Sequence, residues 1–142
     1  MNNKAFVVLL LSVSLVISGL DSCLSNRGVN DTHNSRNSLD WEGVYTGTIP
    51  SASGSGIDVR LKLNTDQSFE LRYEYIGRPD STFNQTGSFQ WDKNGNIVIL
   101  KIDDVPPYYK VAENMLIQLD MKGNPISGNM ADNYVLKKRT LS

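Results

Sequence analysis

The stretch "GIDVRLKLNTDQSFELRYEY", residues 56–75, decides the fold class. Ile57, Val59, Leu61 and Leu63 alternate with Asp58, Arg60 and Lys62. After "NTDQS" the alternation resumes, with Phe69, Leu71, Tyr73 and Tyr75 against Glu70, Arg72 and Glu74. A period of two places successive side chains on opposite faces, so each run reads as a half-buried strand. Asn, Asp and Ser between the runs are turn formers. The stretch is therefore a β-hairpin with one apolar and one charged face.

Working outward, the same pattern recurs. "TGSFQW" points Phe89 and Trp91 inward, and "DKNG" at residues 92–95 then turns the chain with an Asn-Gly pair suited to a hairpin. "NIVILKI" is apolar on both faces, which predicts cover on its outer side as well. "YYKV", "MLIQLD" and a closing "YVLKK" follow. Upstream, "WEGVYTGTI" reads as the first strand, with Trp41, Tyr45 and Ile49 sharing a face with Gly43 and Gly47. Glycines on an inner face suit strong curvature or the close approach of another segment. Pro106-Pro107 blocks a helix and limits ladder hydrogen bonds. No helix of useful length is visible. The expectation is an all-β fold: a small antiparallel up-and-down meander of about eight strands that closes into a barrel, removing exposed edges.

The chain has 142 residues and fits one folded domain. Residues 1–22 read as a signal peptide: Lys4, then "AFVVLLLSVSLVI", an apolar run short for a membrane span. The single cysteine, Cys23, follows directly, and a lone cysteine makes no internal disulfide. "LDSC" resembles a bacterial lipobox through Leu20 and Ser22, with Asp21 departing from the pattern. The resemblance implies cleavage before Cys23 and its acylation, which anchors the chain to a membrane. Leu24 and Ser25 carry no acidic retention signal, which points to the outer membrane. Residues 23–38, rich in Asn and Ser, read as a flexible tether, and residues 39–142 as the barrel. His33, the only histidine, lies in the tether without a partner at ligand spacing.

Of 14 basic and 15 acidic residues, only Lys4 and Asp21 lie in the leader, so the remaining charge is nearly balanced. No basic patch interleaved with aromatics points to nucleic acid. Catalysis finds no support either. "GSG" at residues 54–56 lacks the spacing of a nucleophile elbow, and Asp103-Asp104 would point to opposite faces of a strand. Tyr45, Tyr73, Tyr75, Phe89, Trp91 and Tyr108 can line a pocket for a small apolar ligand or fill the barrel; a domain this small favours filling. Met115, Met121 and Met130 are soft thioethers without matched spacing, and no metal site is assigned to them.

Three stretches carry a family resemblance: "WEGVYTGTIPSASGSGIDVRLKL", "GSFQWDKNGNIVIL" and "YYKVAENMLIQLDMKGNPISGNMADNYVLKK". Together they resemble the N-terminal domain of NlpE-type envelope lipoproteins, also called copper-resistance lipoproteins. The resemblance covers residues 39–138. It implies a lipocalin-like barrel, a lipid tether, and a role in sensing or signalling envelope stress. In that family the loop after the proline commonly carries Cys-x-x-Cys, and the matching positions here are Ser51 and Gly54. A hydroxyl and a bare glycine cannot stand in for thiolates toward Cu(I), so copper, though implied by the family, has no soft ligands in this loop. The expected cofactor is none. The expected partners are a membrane and an envelope protein, with a small apolar ligand as the alternative.

Overall fold

A computed structural model describes residues 33–52, 54–78 and 80–140, all within one compact unit, Asp31–Ser142. The leader, Cys23 and the first part of the tether lie outside the described residues.

Eight antiparallel strands form a closed barrel in simple up-and-down order. They are β1 Gly43–Ser51, β2 Gly54–Leu63, β3 Ser68–Tyr75, β4 Thr82–Trp91, β5 Ile97–Leu100, β6 Tyr108–Ala112, β7 Met115–Gln118 and β8 Val135–Lys138. The hairpin of residues 56–75 is β2–β3, in register from Ile57 opposite Tyr75 to Leu63 opposite Phe69. Its inner face is buried at Val59, Leu61, Leu63, Phe69, Leu71 and Tyr73, while Ile57 and Tyr75 are half-buried at the rim. β8 closes the barrel on β1, with Tyr45 opposite Lys138 and Thr46 opposite Lys137.

That closure explains one inner-face glycine. A Cβ on Gly47 would lie 2.5 Å from the Val135 carbonyl oxygen, so only glycine lets β8 approach β1 there. The core is continuous across the barrel. Tyr45, Leu61, Leu63, Val98, Tyr109, Leu116 and Leu136 are fully buried within it. Burying a Leu or Val side chain is worth about 1.5–3 kcal/mol, so this interior carries most of the stability of the fold.

The barrel has two ends. At the entry end the chain comes in before β1 and leaves after β8; the connections β1–β2, β3–β4, β5–β6 and β7–β8 lie at the far end. The entry end corrects the tether expectation for its last residues. Ser35–Ser38 form a short helix, α1, capped by the Asn34 side chain. Ser35 is tied to the barrel: its Oγ donates to the Val111 carbonyl at 2.8 Å, and its N–H donates to Asn96 Oδ1 at 3.0 Å. The Trp41 indole donates to the Arg36 carbonyl, and its ring meets Phe89 and Trp91 edge-on at 5.9 and 5.4 Å. Leu39 and Trp41 thus pack against the core and plug this end. The fold begins before residue 39 because a polar stretch without periodicity is held by tertiary hydrogen bonds, which leave no pattern in the sequence.

Candidate functional site

Three places hold the residues singled out by chemistry: the far-end hairpin, the barrel interior and the outer wall. At the far end, a bulge between Ile49 and Ser51 shifts the β1–β2 register, and Ser51 stands opposite Gly54 to close the hairpin. Residues opposite one another on an antiparallel pair share a face, so two side chains at these positions would lie next to each other. Here they are a hydroxymethyl group and a hydrogen. A cleft of about 240 Å³ opens beside them, lined by Pro50, Gly56, Met130 and Asn133 among others. The structure therefore brings Met130 alone of the three candidate methionines to this loop. Met115 sits in β7 opposite Ala112, and Met121 in the turn that follows β7. Among the described residues no group of three or more His, Cys, Asp or Glu side chains could hold a metal. His33 is exposed beside α1.

Inside the barrel the aromatic set divides. Tyr45, Tyr73 and Phe89 are buried; Tyr75 and Trp91 are half-buried at the rims. Tyr108 is the correction. It lies on the outer face of β6, opposite Ile99, and its ring shields Gly123, while Tyr109 takes the interior position. Two adjacent tyrosines at a strand start carry no internal signal of which faces in, and the β6 register settles it. With Tyr108 against Ile99, the outer face of β5 gains partial cover, as its two-sided apolar run predicts.

The interior polar groups are few. The hydroxyls of Tyr73 and Tyr109 share a buried hydrogen bond of 3.1 Å. Burial pushes both phenols above the usual value, Tyr109 the further, so both stay neutral. The Tyr45 hydroxyl donates to the Trp41 carbonyl at 2.7 Å, and burial, with Asp40 nearby, pushes its pKa up to about 12. Gln118, opposite Tyr109 on β7, is buried with its Oε1 unpartnered, as is the Trp91 indole Nε1. Sequence reasoning missed Gln118, although the period of "MLIQ" places it on the same face as Leu116.

The outer wall carries the charge. Lys62 and Glu70 pair across β2–β3 at 3.0 Å, and Arg72 pairs with Glu74 at 2.7 Å. Asp58 stands opposite Glu74, and Arg60 opposite Arg72. Like charges in register are unfavourable, and the Arg72–Glu74 contact along β3 offsets them in part. A shallow groove of about 380 Å³ crosses this wall, and a second of about 350 Å³ runs beside Asn84 and Thr86. Asp103 and Asp104 are exposed in the β5–β6 connection rather than on a strand. No helix among the described residues is long and apolar enough to cross a membrane.

The family model described as the NlpE N-terminal domain matches residues 45–129. The crystal structure of a candidate lipoprotein from Shewanella oneidensis is similar, with 44% identity and a TM-score of 0.69, covering 77% of this chain and 98% of that one. The Cpx pathway activator NlpE from Escherichia coli shares the fold at 24% identity and a TM-score of 0.51. That likeness covers 70% of this chain, and the chain spans half the length of the Escherichia coli protein. No curated protein matches the chain in sequence.

Proposed function

The chain belongs to the NlpE N-terminal domain family, and from that membership we propose that it is a non-catalytic lipoprotein of the cell envelope, acting in stress sensing by contact with another protein. The observation that carries this reading is the filled interior: Tyr45, Tyr73, Phe89 and Tyr109 pack among buried aliphatic side chains, and the described grooves lie outside. A barrel filled by its own side chains works through its surface. Anchoring is assigned to Cys23, with the outer membrane as destination. Ser51 and Gly54 remove the family's thiol pair from the β1–β2 hairpin, so the proposed sensing does not depend on thiolate chemistry in this loop.

The test is a cell-envelope stress reporter read on expression of the full chain. Raised reporter output that Cys23→Ala abolishes is the expected result; an unresponsive reporter with the anchored chain present at normal level overturns it. Anaerobic Cu(I) titration against a chelator, followed by native mass spectrometry, is expected to leave the chain without copper. Tight one-to-one binding would move attention to Met130 in the cleft beside Ser51 and Gly54.

A second reading, carriage of a small ligand, draws on Gln118. Its buried carbonyl oxygen lacks a partner, and a buried acceptor left unpaired costs about 1–3 kcal/mol. A small molecule released in stoichiometric amount from protein purified out of membranes would favour this reading over the first.

A further inference from the structure

The wall of the barrel is unevenly laddered. β4 has ten residues and β5 has four. The two pair through Phe89, Gln90 and Trp91; the Asp92 N–H bonds the Ile97 carbonyl at the turn, and at the other end the bond from the Lys101 N–H to the Ser88 carbonyl ends the ladder. On its other side β4 stays paired with β3 back to Thr82. In an antiparallel pair each residue directs its N–H and C=O to one side, and the side alternates along the strand. Phe89 donates to Gln67, and Tyr75 donates to Ser81, so odd-numbered residues of β4 bond toward β3. Asn84 and Thr86 therefore direct their backbone groups to the side where β5 has already ended. Both residues are exposed.

Strand edges in soluble proteins are normally guarded by lysine, proline or another charge. Residues 81–91, "STFNQTGSFQW", contain none of these. The surroundings are specific. Phe83 on β4, with Ile102 and Val105 from the β5–β6 connection, is half-buried against the core. Asp103 and Asp104, next to that connection's start at Lys101, are exposed and make no ion pair among the described residues.

We propose that the β4 edge at Asn84 and Thr86 is a strand-addition site for an extended segment of a partner polypeptide. This rests on the interaction reading above and narrows it to one surface. Main-chain hydrogen bonds would supply affinity, and alternate side chains specificity. The matching segment alternates apolar residues, facing Phe83, Ile102 and Val105, with polar ones. It carries a basic residue where it passes Asp103 and Asp104. A second copy of this chain is a poor occupant, because β4 has no cation to offer those carboxylates.

The test uses the full chain in detergent and a synthetic eight-residue peptide of alternating valine and threonine ending in lysine. Amide exchange is read by NMR. In the free protein, Asn84 and Thr86 amides are expected to exchange about 100-fold faster than Gln85, which bonds to β3. The peptide is expected to slow both amides about tenfold, an effect lost with Thr86→Lys and weakened by Asp103→Asn with Asp104→Asn. Asn84→Pro, which removes an N–H that no ladder uses, is expected to keep the thermal midpoint, whereas Gln85→Pro lowers it. Equal protection of Asn84 and Gln85 in the free protein overturns the proposal. So does an absence of peptide protection, or protection that appears with protein concentration alone, which assigns the edge to a second copy. A silent stress reporter alongside a protecting peptide would sink the signalling reading and leave this site standing.

Discussion

The barrel has a long wall and a short one. β1 to β4 run eight to ten residues each; β5 to β8 run four or five. The long wall is held by extended ladders and by alternation strong enough to read directly. The short wall is held by packing and by turns that use side-chain carboxylates, a device the long wall shares at Asp66, which accepts the Ser68 N–H at 2.9 Å. Asp92 Oδ1 accepts the N–H groups of Asn96 and Ile97, at 2.8 and 2.7 Å, before β5. Asp120 does the same for Lys122 and Asn124 after β7, each at 2.8 Å. The mismatch in strand length leaves part of the wall unladdered. Where β4 outruns β5, the ladder stops at Ser88, and Asn84 and Thr86 lie beyond it.

The largest effect is expected at the seam between the walls. Gly47→Val would drive a side chain into the Val135 carbonyl, and we expect a loss of about 4 kcal/mol or more, seen as a collapse of the urea midpoint. An unchanged midpoint would mean that the seam is not sterically tight. Next come paired cavities. Leu61→Ala in the long wall and Leu116→Ala in the short wall each remove a fully buried side chain and should cost about 2–5 kcal/mol. Amide exchange should separate them: Leu116→Ala speeds exchange locally in β5 to β8, Leu61→Ala across the whole barrel. Uniform loosening by both would erase the distinction between walls.

A smaller effect is expected at the Asp92 turn. Partial burial pushes this carboxyl up, but donors from Ile97, Asn96, Asn94 and Gly95 together outweigh it and hold the pKa below the usual value. A lowered folded-state pKa means that the stabilisation is present above the unfolded pKa of about 4 and is lost as pH falls through the folded value. Asp92→Ala should cost about 1–2 kcal/mol at pH 7 and flatten the acid limb of a stability–pH curve, measured by thermal melts. An acid limb of unchanged slope would sink this account. The smallest effect belongs to the long wall's outer face. Glu70→Gln breaks the exposed Lys62–Glu70 pair and should shift stability by less than about 1 kcal/mol, less still in high salt.

Much of the fold was legible because its inner and outer faces obey a period of two. Leu61, Leu71 and Phe89 could be placed inside from their spacing alone. Tyr108 could not be told from Tyr109, because the choice rests on the β5–β6 register rather than on either residue. The docked helix at Ser35–Ser38 was missed because its partners, Asn96 and Val111, are distant in sequence. Gln118 was legible in period but unremarkable as a letter, and its lack of a partner is a fact of three dimensions.

The order of residues was enough for a count of about eight strands, for the inward and outward faces of β2 and β3 and for the hairpin that carries Ser51 and Gly54. These depend on local spacing and residue type. Only the tertiary structure decided how the barrel closes on Gly47, which polar groups are stranded inside, and where β4 outruns β5. Those depend on the register between strands, which hydrophobic alternation constrains in parity but not in length.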